Sequence, residues 1–437
     1  MVFAGNLFDT AVGFLGNLLV MRSLGAGGFG VVIVTSTLLN VLWQLTGRGI
    51  DQALVRCIAL RQNPAAPPAD GTPHADEEAT PDAYAATVHQ IKLVAGTLVS
   101  LAGIALSWPL TRFLIGPEVS AVPMIVAAVC ALPASLWGYT GSVLQATGRF
   151  RAYAAVLTTN ALVRFAIVAL LWGTGRMTIT LSVASLGVGY LGGAAVGYAF
   201  CPSRARSWNG WPEFRPVLYA LSVWLTLSSV IHLLYSRLDQ LMLSRLCGSR
   251  ATGVYGAAAT FAQLVDLLTA SLLTVLLPRV CRETEPGPLR RQAWLSLRLS
   301  ALMALPMLSG FALADPVINR LLGPSYAQTA LAFKIILAGA VFNVLTHPLQ
   351  AVLHARGRTD RLFWMDAGLL LTSGAANFLA IQAYGLIGAA WANTGLRVGA
   401  GLILLMLVVR ELRPYGEGGG RSRCLPATTL RTAEEGR

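Results

Sequence analysis

The chain has 437 residues, 55% of them hydrophobic and only 12% charged, with a mean hydropathy of +0.61. Soluble domains carry about 25% charged residues, so this composition excludes one and points to an integral membrane protein. The formal net charge of +13 would suggest a nucleic-acid partner in a soluble protein. Here the basic residues gather in alternate segments between apolar runs, which is a signature of membrane topology, and no nucleic-acid partner is expected.

A bilayer-crossing helix needs about 20 apolar residues, and such runs follow one another from Met1 to Arg410. Strands of alternating pattern are missing, so helices must satisfy the backbone in the membrane. The fold class read from the sequence is an all-α polytopic membrane protein with about twelve transmembrane helices. Their approximate limits are 3–22, 29–47 with an extension to 60, 90–110, 121–145, 152–173, 179–200, 218–246, 252–278, 292–314, 328–353, 361–383 and 386–410. The first run has no basic segment before it and no small-residue cleavage site, so it reads as a retained helix. The stretch "NPAAPPADGTPHADEEATPDA" (63–83) is rich in Pro, Ala and acid and reads as a disordered cytoplasmic loop; residues 412–437 read as a disordered cytoplasmic tail.

One set of alternate loops holds Arg56, Arg61, Lys92, Arg149, Arg151, Arg204, Arg206, Arg215, Arg279, Arg282, Arg290, Arg291, Arg356, Arg358 and Arg361. The opposite set holds Arg22, Arg112, Arg176, Arg245, Arg250 and Arg320. The positive-inside rule then puts both termini in the cytoplasm. The six cysteines are scattered without a CxxC pair, and His347 and His354 stand near a proline without further ligand-type neighbours. No disulfide framework, metal site or cofactor is expected, and no DxD or Ser/His/Asp set marks a catalytic centre.

The chain also repeats itself. "GVVIVTSTLLNVLWQLTGRGIDQALVRC" (30–57) aligns without a gap on "GVYGAAATFAQLVDLLTASLLTVLLPRV" (253–280), with Gly30 on Gly253, Val31 on Val254 and Arg56 on Arg279. Further on, "LQATGRFR" (144–151) corresponds to "LHARGRTDR" (353–361). The offset falls from 223 to 209 between these pairs, a difference that the 63–83 loop absorbs. Six helices per half make the repeats parallel, related by an axis along the membrane normal. The expected domains are an N-terminal six-helix lobe (1–208) and a C-terminal six-helix lobe (209–411) around a central cavity. Arg56 and Arg279 occupy one place in both repeats and read as interfacial anchors. Arg48 falls opposite Ser271, Asp51 opposite Thr274 and Asp266 opposite Trp43, so these charges are not demanded by the scaffold.

At about 1.5 Å per residue, Arg48 lies about 28 Å from Phe29, at the far face of a core about 30 Å thick, with Asp51 beyond it. Asp9, Arg164, Arg237, Asp239, Asp266 and Arg397 lie about 10–20 Å from the nearest helix end. An ionisable group at that depth costs at least about 2.5–3.5 kcal/mol and must face water or a partner. Mutual pairing between helices is the plainer alternative to ligand binding. Gly189, Gly193 and Gly197 on the sixth helix, and Gly395 and Gly399 on the twelfth, recur every four residues and read as close-packing faces.

The motifs "LGAGGFGVV" (24–32) leading into "GRGIDQALVR" (47–56), and "SRLDQLMLSRLCGSRATGVYGAA" (236–258) leading into "LLPRV" (276–280), recur at one place in each half. In these motifs and in its helix pattern the chain resembles the polysaccharide and oligosaccharide flippases of the multidrug/oligosaccharidyl-lipid/polysaccharide exporter superfamily. The resemblance implies a V-shaped pair of six-helix bundles in the bacterial cytoplasmic (inner) membrane. It implies transport of a polyprenyl-pyrophosphate-linked glycan from the cytoplasmic to the outer leaflet by alternating access, for cell-surface polysaccharide synthesis. The partners implied are that glycan lipid and membrane lipids, with room for glycan-assembly enzymes.

In that family the first, second, seventh and eighth helices line the cavity, and Asp239 of "RLDQ" matches an aspartate common in the seventh. The guanidinium forks expected to bind the anionic headgroup are Arg237, Arg48, Arg164 and Arg397. Asp266, Asp239 and Asp9 are expected to couple transport to a cation or to hold an arginine. The related lipid II flippases carry arginines along the first helix, whereas this chain has none before Arg22, which favours a different lipid-linked glycan. A multidrug or cation antiporter of the same superfamily is the nearest rival. A membrane glycosyltransferase or polymerase is the rival from another class, and the acid-free first outer loop (about 23–28) and the short outer loops near Pro117 and Pro324 disfavour it.

Overall fold

The computed structural model describes residues 2–62, 81–202, 215–280, 286–346, 349 and 359–412, and these are almost wholly helical. The helices are α1 (Val2–Leu45), α2 (Arg48–Gln62), α3 (Pro81–Leu114), α4 (Val122–Ala146), α5 (Phe150–Gly173), α6 (Ile179–Phe200), α7 (Arg215–Val280), α8 (Pro286–Leu322), α9 (Thr329–Thr346) and α10 (Thr359–Leu412). Three of them fold back at a glycine with positive φ: α1 at Gly25 (64°), α7 at Gly248 (82°) and α10 at Gly385 (57°). Only glycine enters that region without a steric penalty. Gly25 and Gly248 are repeat counterparts, 223 residues apart.

With α1, α7 and α10 each divided at its glycine, the helices are consistent with the twelve spans expected. Among the described residues, the stretches Gly5–Leu45 and Gly368–Arg410 run to 41 and 43 residues at a hydropathy of 1.8, each enough for two crossings. Large apolar side chains stand on the outer surface, among them Leu98, Leu170, Leu302, Leu371 and Met406. A water-facing surface does not carry so many. The protein is an integral, multi-pass membrane protein.

The two repeats meet at their own equivalent residues. A Cβ on Gly30 would lie 1.8 Å from the Ser249 carbonyl oxygen, and one on Gly253 would lie 1.8 Å from the Ala26 oxygen. Ser249 is the counterpart of Ala26, so the contact is reciprocal about a two-fold axis. Backbones this close are held by packing and Cα–H···O contacts that any side chain would abolish. The same end of the molecule is tied by polar contacts. Arg22 donates through Nε to the Leu321 carbonyl at 2.5 Å and through Nη2 to that of Arg320 at 3.3 Å. Ser244 donates to the Leu114 carbonyl at 2.8 Å, and Tyr326 to that of Met21 at 3.2 Å. A shared apolar core, including Met21, Phe29, Leu243, Tyr255 and Phe333, continues beneath them.

The glycine faces divide. On α6, a Cβ at Gly189 would come within 2.9 Å of Asn160 Oδ1, at Gly193 within 2.7 Å of the Trp137 ring, and at Gly197 within 2.4 Å of Thr140. This is the close packing expected. At Gly395 and Gly399 no described atom lies within 4 Å of such a Cβ, so that pair is not a packing face among the described residues.

Two further expectations change. The last three residues of the 63–83 loop open α3, and the rest of that loop and the tail after Leu412 lie outside the described residues. Because α3 starts at Pro81, Lys92 sits well inside a helix rather than in a loop. Its side chain is 0% exposed and donates to Asp51 Oδ2 at 2.8 Å, while Asp51 is itself 11% exposed. Asp51, expected beyond the hydrocarbon, is thus enclosed by protein, in the first turn of α2 where a carboxylate suits the helix dipole.

Two outcomes are expected. Gly253→Val forces the repeats apart at the Gly30 end: spin labels at positions 27 and 250, in a cysteine-free background, move to longer distances, and an unchanged distance distribution would refute the contact. Lys92→Met leaves the Asp51 carboxylate buried without its partner and lowers stability by about 3–5 kcal/mol. Thermal unfolding in detergent reads this loss, and the double variant Lys92→Met/Asp51→Leu recovers most of it.

Candidate functional site

The helix break after Leu45 builds the first part of the site. Gly47 adopts φ +97°, and the amides of Ile50 and Asp51 bond to its carbonyl at 3.0 and 3.4 Å. The chain turns there, so Arg48 starts α2 instead of continuing α1. The turn carries the Arg48 guanidinium to 4.9 Å from the Trp43 ring centroid, within cation–π range. A cavity of about 390 Å³ opens beside it, lined by Trp43, Arg48, Asp51, Gln145 and Tyr153 among others. Gly138, also in its lining, lets the Trp43 ring pack against the α4 backbone, since a Cβ there would come within 3.0 Å of Trp43 Nε1.

A second cavity of about 280 Å³ lies on the other side of Trp43 and Trp137, which line both. It is lined by Asp9, Asn17, Arg164, Tyr190 and Gln263, among others. Arg164 donates through Nη2 to Asn17 Oδ1 at 2.7 Å, and its Nε is buried without an acceptor. Gln263, from the second half of α7, turns its amide oxygen toward Arg237, whose Nη2 and Nη1 lie at 3.2 and 3.3 Å.

The structure therefore brings Asp9, Arg164 and Arg48 to two adjoining cavities, with Arg237 behind Gln263 at the edge of the second. It does not bring Arg397 or Asp239 there. Asp239 is buried, where it accepts from the Tyr255 hydroxyl and from Asn393 Nδ2 at 3.1 Å. Arg397 donates through Nε to Asn393 Oδ1 at 3.0 Å. These four residues form a network within the second repeat. The side chain of Asp266 lies outside the described residues.

Direct ion pairs are few where the deep charges can be described. Among the described residues the ion pairs are Lys92 with Asp51 and Lys334 with Asp315, and none of Arg48, Arg164 and Arg237 has a carboxylate partner. The lining also differs from the expectation. Besides the first, second and eighth spans, α4, α5 and α6 contribute Trp137, Arg164 and Tyr190, and the seventh span reaches neither described cavity.

The residues that sequence reasoning missed are aromatic. Trp137 stacks near Trp43 (5.5 Å between centroids) and near Tyr190 (5.2 Å). A tryptophan in an apolar run reads the same whether it faces lipid or a cavity. For Trp43 there was one signal, its place opposite Asp266 in the repeat alignment.

Solved structures share this architecture. A lipid II flippase, MurJ, in an inward closed conformation has a TM-score of 0.73 at 14% identity, over 94% of this chain and 88% of that one. An inward-facing multidrug resistance transporter of the MATE family, of the MOP superfamily, also has a TM-score of 0.73, at 12% identity over 94% of each chain. At these identities the likeness is one of fold. Among curated proteins, a probable flippase of Haloferax volcanii, AglR, is 24% identical over 90% of this chain and 78% of its own length. The teichuronic acid biosynthesis protein TuaB of Bacillus subtilis is 26% identical over 38% of this chain, a match that spans 35% of that protein. The family described as polysaccharide biosynthesis protein matches residues 19–331, well over half of the sequence, and the chain belongs to that family.

Proposed function

We propose that this protein is a transporter, not an enzyme, that flips a polyprenyl-diphosphate-linked glycan from the cytoplasmic to the outer leaflet of a bacterial inner membrane, both termini being cytoplasmic. On this reading the two repeats, 1–208 and 209–411, are the lobes that rock about the cavity, and the Gly30–Gly253 contact closes the outer side. Glycan-assembly enzymes would supply the substrate lipid on the cytoplasmic side.

The observation that carries the reading is the pair of adjoining cavities with Arg48 and Arg164 in their walls and no ion pair for either among the described residues. A diphosphate is a dense anion that hydrocarbon excludes, and guanidinium forks held in a protein cavity match its oxygens. Arg48 receives the headgroup at the mouth, and Arg164 with Arg237 lies along its path. Asp9 holds the second cavity's charge in balance when no headgroup is present. Asp239, braced by Tyr255 and Asn393, is the group that a coupling cation would engage. A cation antiporter would need a carboxylate free of nearby positive charge, and Asp9 instead shares its cavity with Arg164.

The test is flipping of a labelled polyprenyl-diphosphate oligosaccharide in proteoliposomes. Arg48→Ala and Arg164→Ala each slow transport about tenfold or more, the loss of one charge-assisted contact, while Arg112→Ala, on the exposed end of α3, leaves the rate unchanged. Transport at the wild-type rate in both cavity variants would sink the anion site. Asp239→Asn retains binding of the diphosphate lipid but slows turnover, and unaltered turnover would remove Asp239 from the coupling role.

A further inference from the structure

Trp43 and Trp137 are the two residues shared by the linings of both cavities. Both indole N–H groups are buried, and neither has an acceptor. Trp43 Nε1 lies against Gly138 and Trp137 Nε1 against Gly193, so what the two residues give the cavities they line is their rings. Around them stand the hydrogen-bonding groups that sugar hydroxyls need. Asp51 accepts from Lys92 through Oδ2 and keeps Oδ1 without a partner, and Gln145 and Tyr153 add an amide and a phenol.

We infer that Trp43 and Trp137 form a sugar-recognition platform that reads the first saccharide of the lipid-linked substrate, the ring joined directly to the diphosphate. The inference rests on the diphosphate reading above. In such a lipid the first sugar is bonded through its anomeric carbon to the terminal phosphate, so a diphosphate on Arg48 places that ring within one ring's length. Trp43 lies at this distance, 4.9 Å from its centroid to the Arg48 guanidinium carbon. The apolar face of a pyranose stacks on an indole, and its hydroxyls meet the Asp51, Gln145 and Tyr153 side chains that line the same cavity. The cavity volume of about 390 Å³ lies within the ~300–1,000 Å³ range of small-ligand sites and leaves no space for a long glycan. The rest of the chain of sugars must therefore extend beyond it, and specificity concentrates on the first ring. A site that meets hydroxyls with paired donors and acceptors discriminates strongly between sugars that differ in one of them.

The experiment measures equilibrium binding to the full chain in nanodiscs. The probes are farnesyl diphosphate and farnesyl-diphospho-monosaccharides carrying a hexose, an N-acetylhexosamine or a hexuronic acid. At least one glycosylated probe binds the wild type about tenfold more tightly than farnesyl diphosphate. Trp43→Leu and Trp137→Leu, which remove the ring, each erase about threefold or more of that gain, and thermal unfolding reports that the variants are folded. Trp391→Phe, on the exposed surface, keeps the full gain.

The platform is overturned if no sugar improves on farnesyl diphosphate, if the gain survives both tryptophan substitutions, or if the substitutions weaken both probes equally. Failure of the wild type to bind farnesyl diphosphate at all would overturn the diphosphate reading, and the platform with it.

Discussion

The backbone approach of Gly30 to Gly253 is the constraint on which the arrangement depends. Each helix presents a carbonyl where the other would have a side chain, so the two helices meet peptide against peptide. In a bilayer the lipid tails are as apolar as leucine, and close packing must do what the hydrophobic effect does in water. The contact is made by equivalent residues, so it also fixes the axis that relates the repeats. Everything at that end, from the Arg22 bonds to the Tyr326 hydroxyl, closes around it.

From this symmetric contact the two halves diverge in how they treat charge. The second half ties Asp239, Tyr255, Asn393 and Arg397 into one network of mutual bonds. Their counterparts in the first half include Gly16 and Val32, so no such network can form there. The first half instead keeps polar groups along cavity walls, with one ion pair among its described residues, Lys92 with Asp51. A buried network that satisfies itself rigidifies; a cavity with spare donors is suited to a ligand. The division between a braced half and a receptive half follows from which repeat carries the extra polar residues.

Much of the architecture was legible because it rests on local rules. Apolar runs marked the spans, and the alignment of Gly30 on Gly253 marked residues that prove to touch. Spacing, however, says which residues share a face and not what that face meets. Gly189, Gly193 and Gly197 pack tightly, while Gly395 and Gly399 at the same spacing meet no described atom. Arg164 and Arg397 are equivalent as mid-helix charges in the sequence, yet only Arg164 reaches a described cavity. Lys92 counts with the loop charges in the sequence because it falls at the very edge of the expected span 90–110, whereas the helix begins nine residues before that span, at Pro81. Trp137 is unreadable for a related reason: the residue that suits a lipid-facing surface also suits a cavity wall.

The glycine row on α6 has a further reach. Gly193 receives the Trp137 ring, and Gly189 receives Asn160 and the Cβ of Arg164, so this row sets how far those side chains withdraw from the cavities they line. One methyl group added behind the wall would press Trp137 or Arg164 inward and shrink a compartment whose own lining had not changed. Relatives with different cargo could thus differ in residues that never touch it, the size of the chamber being adjusted from outside, as a partition is moved by the wall it leans on.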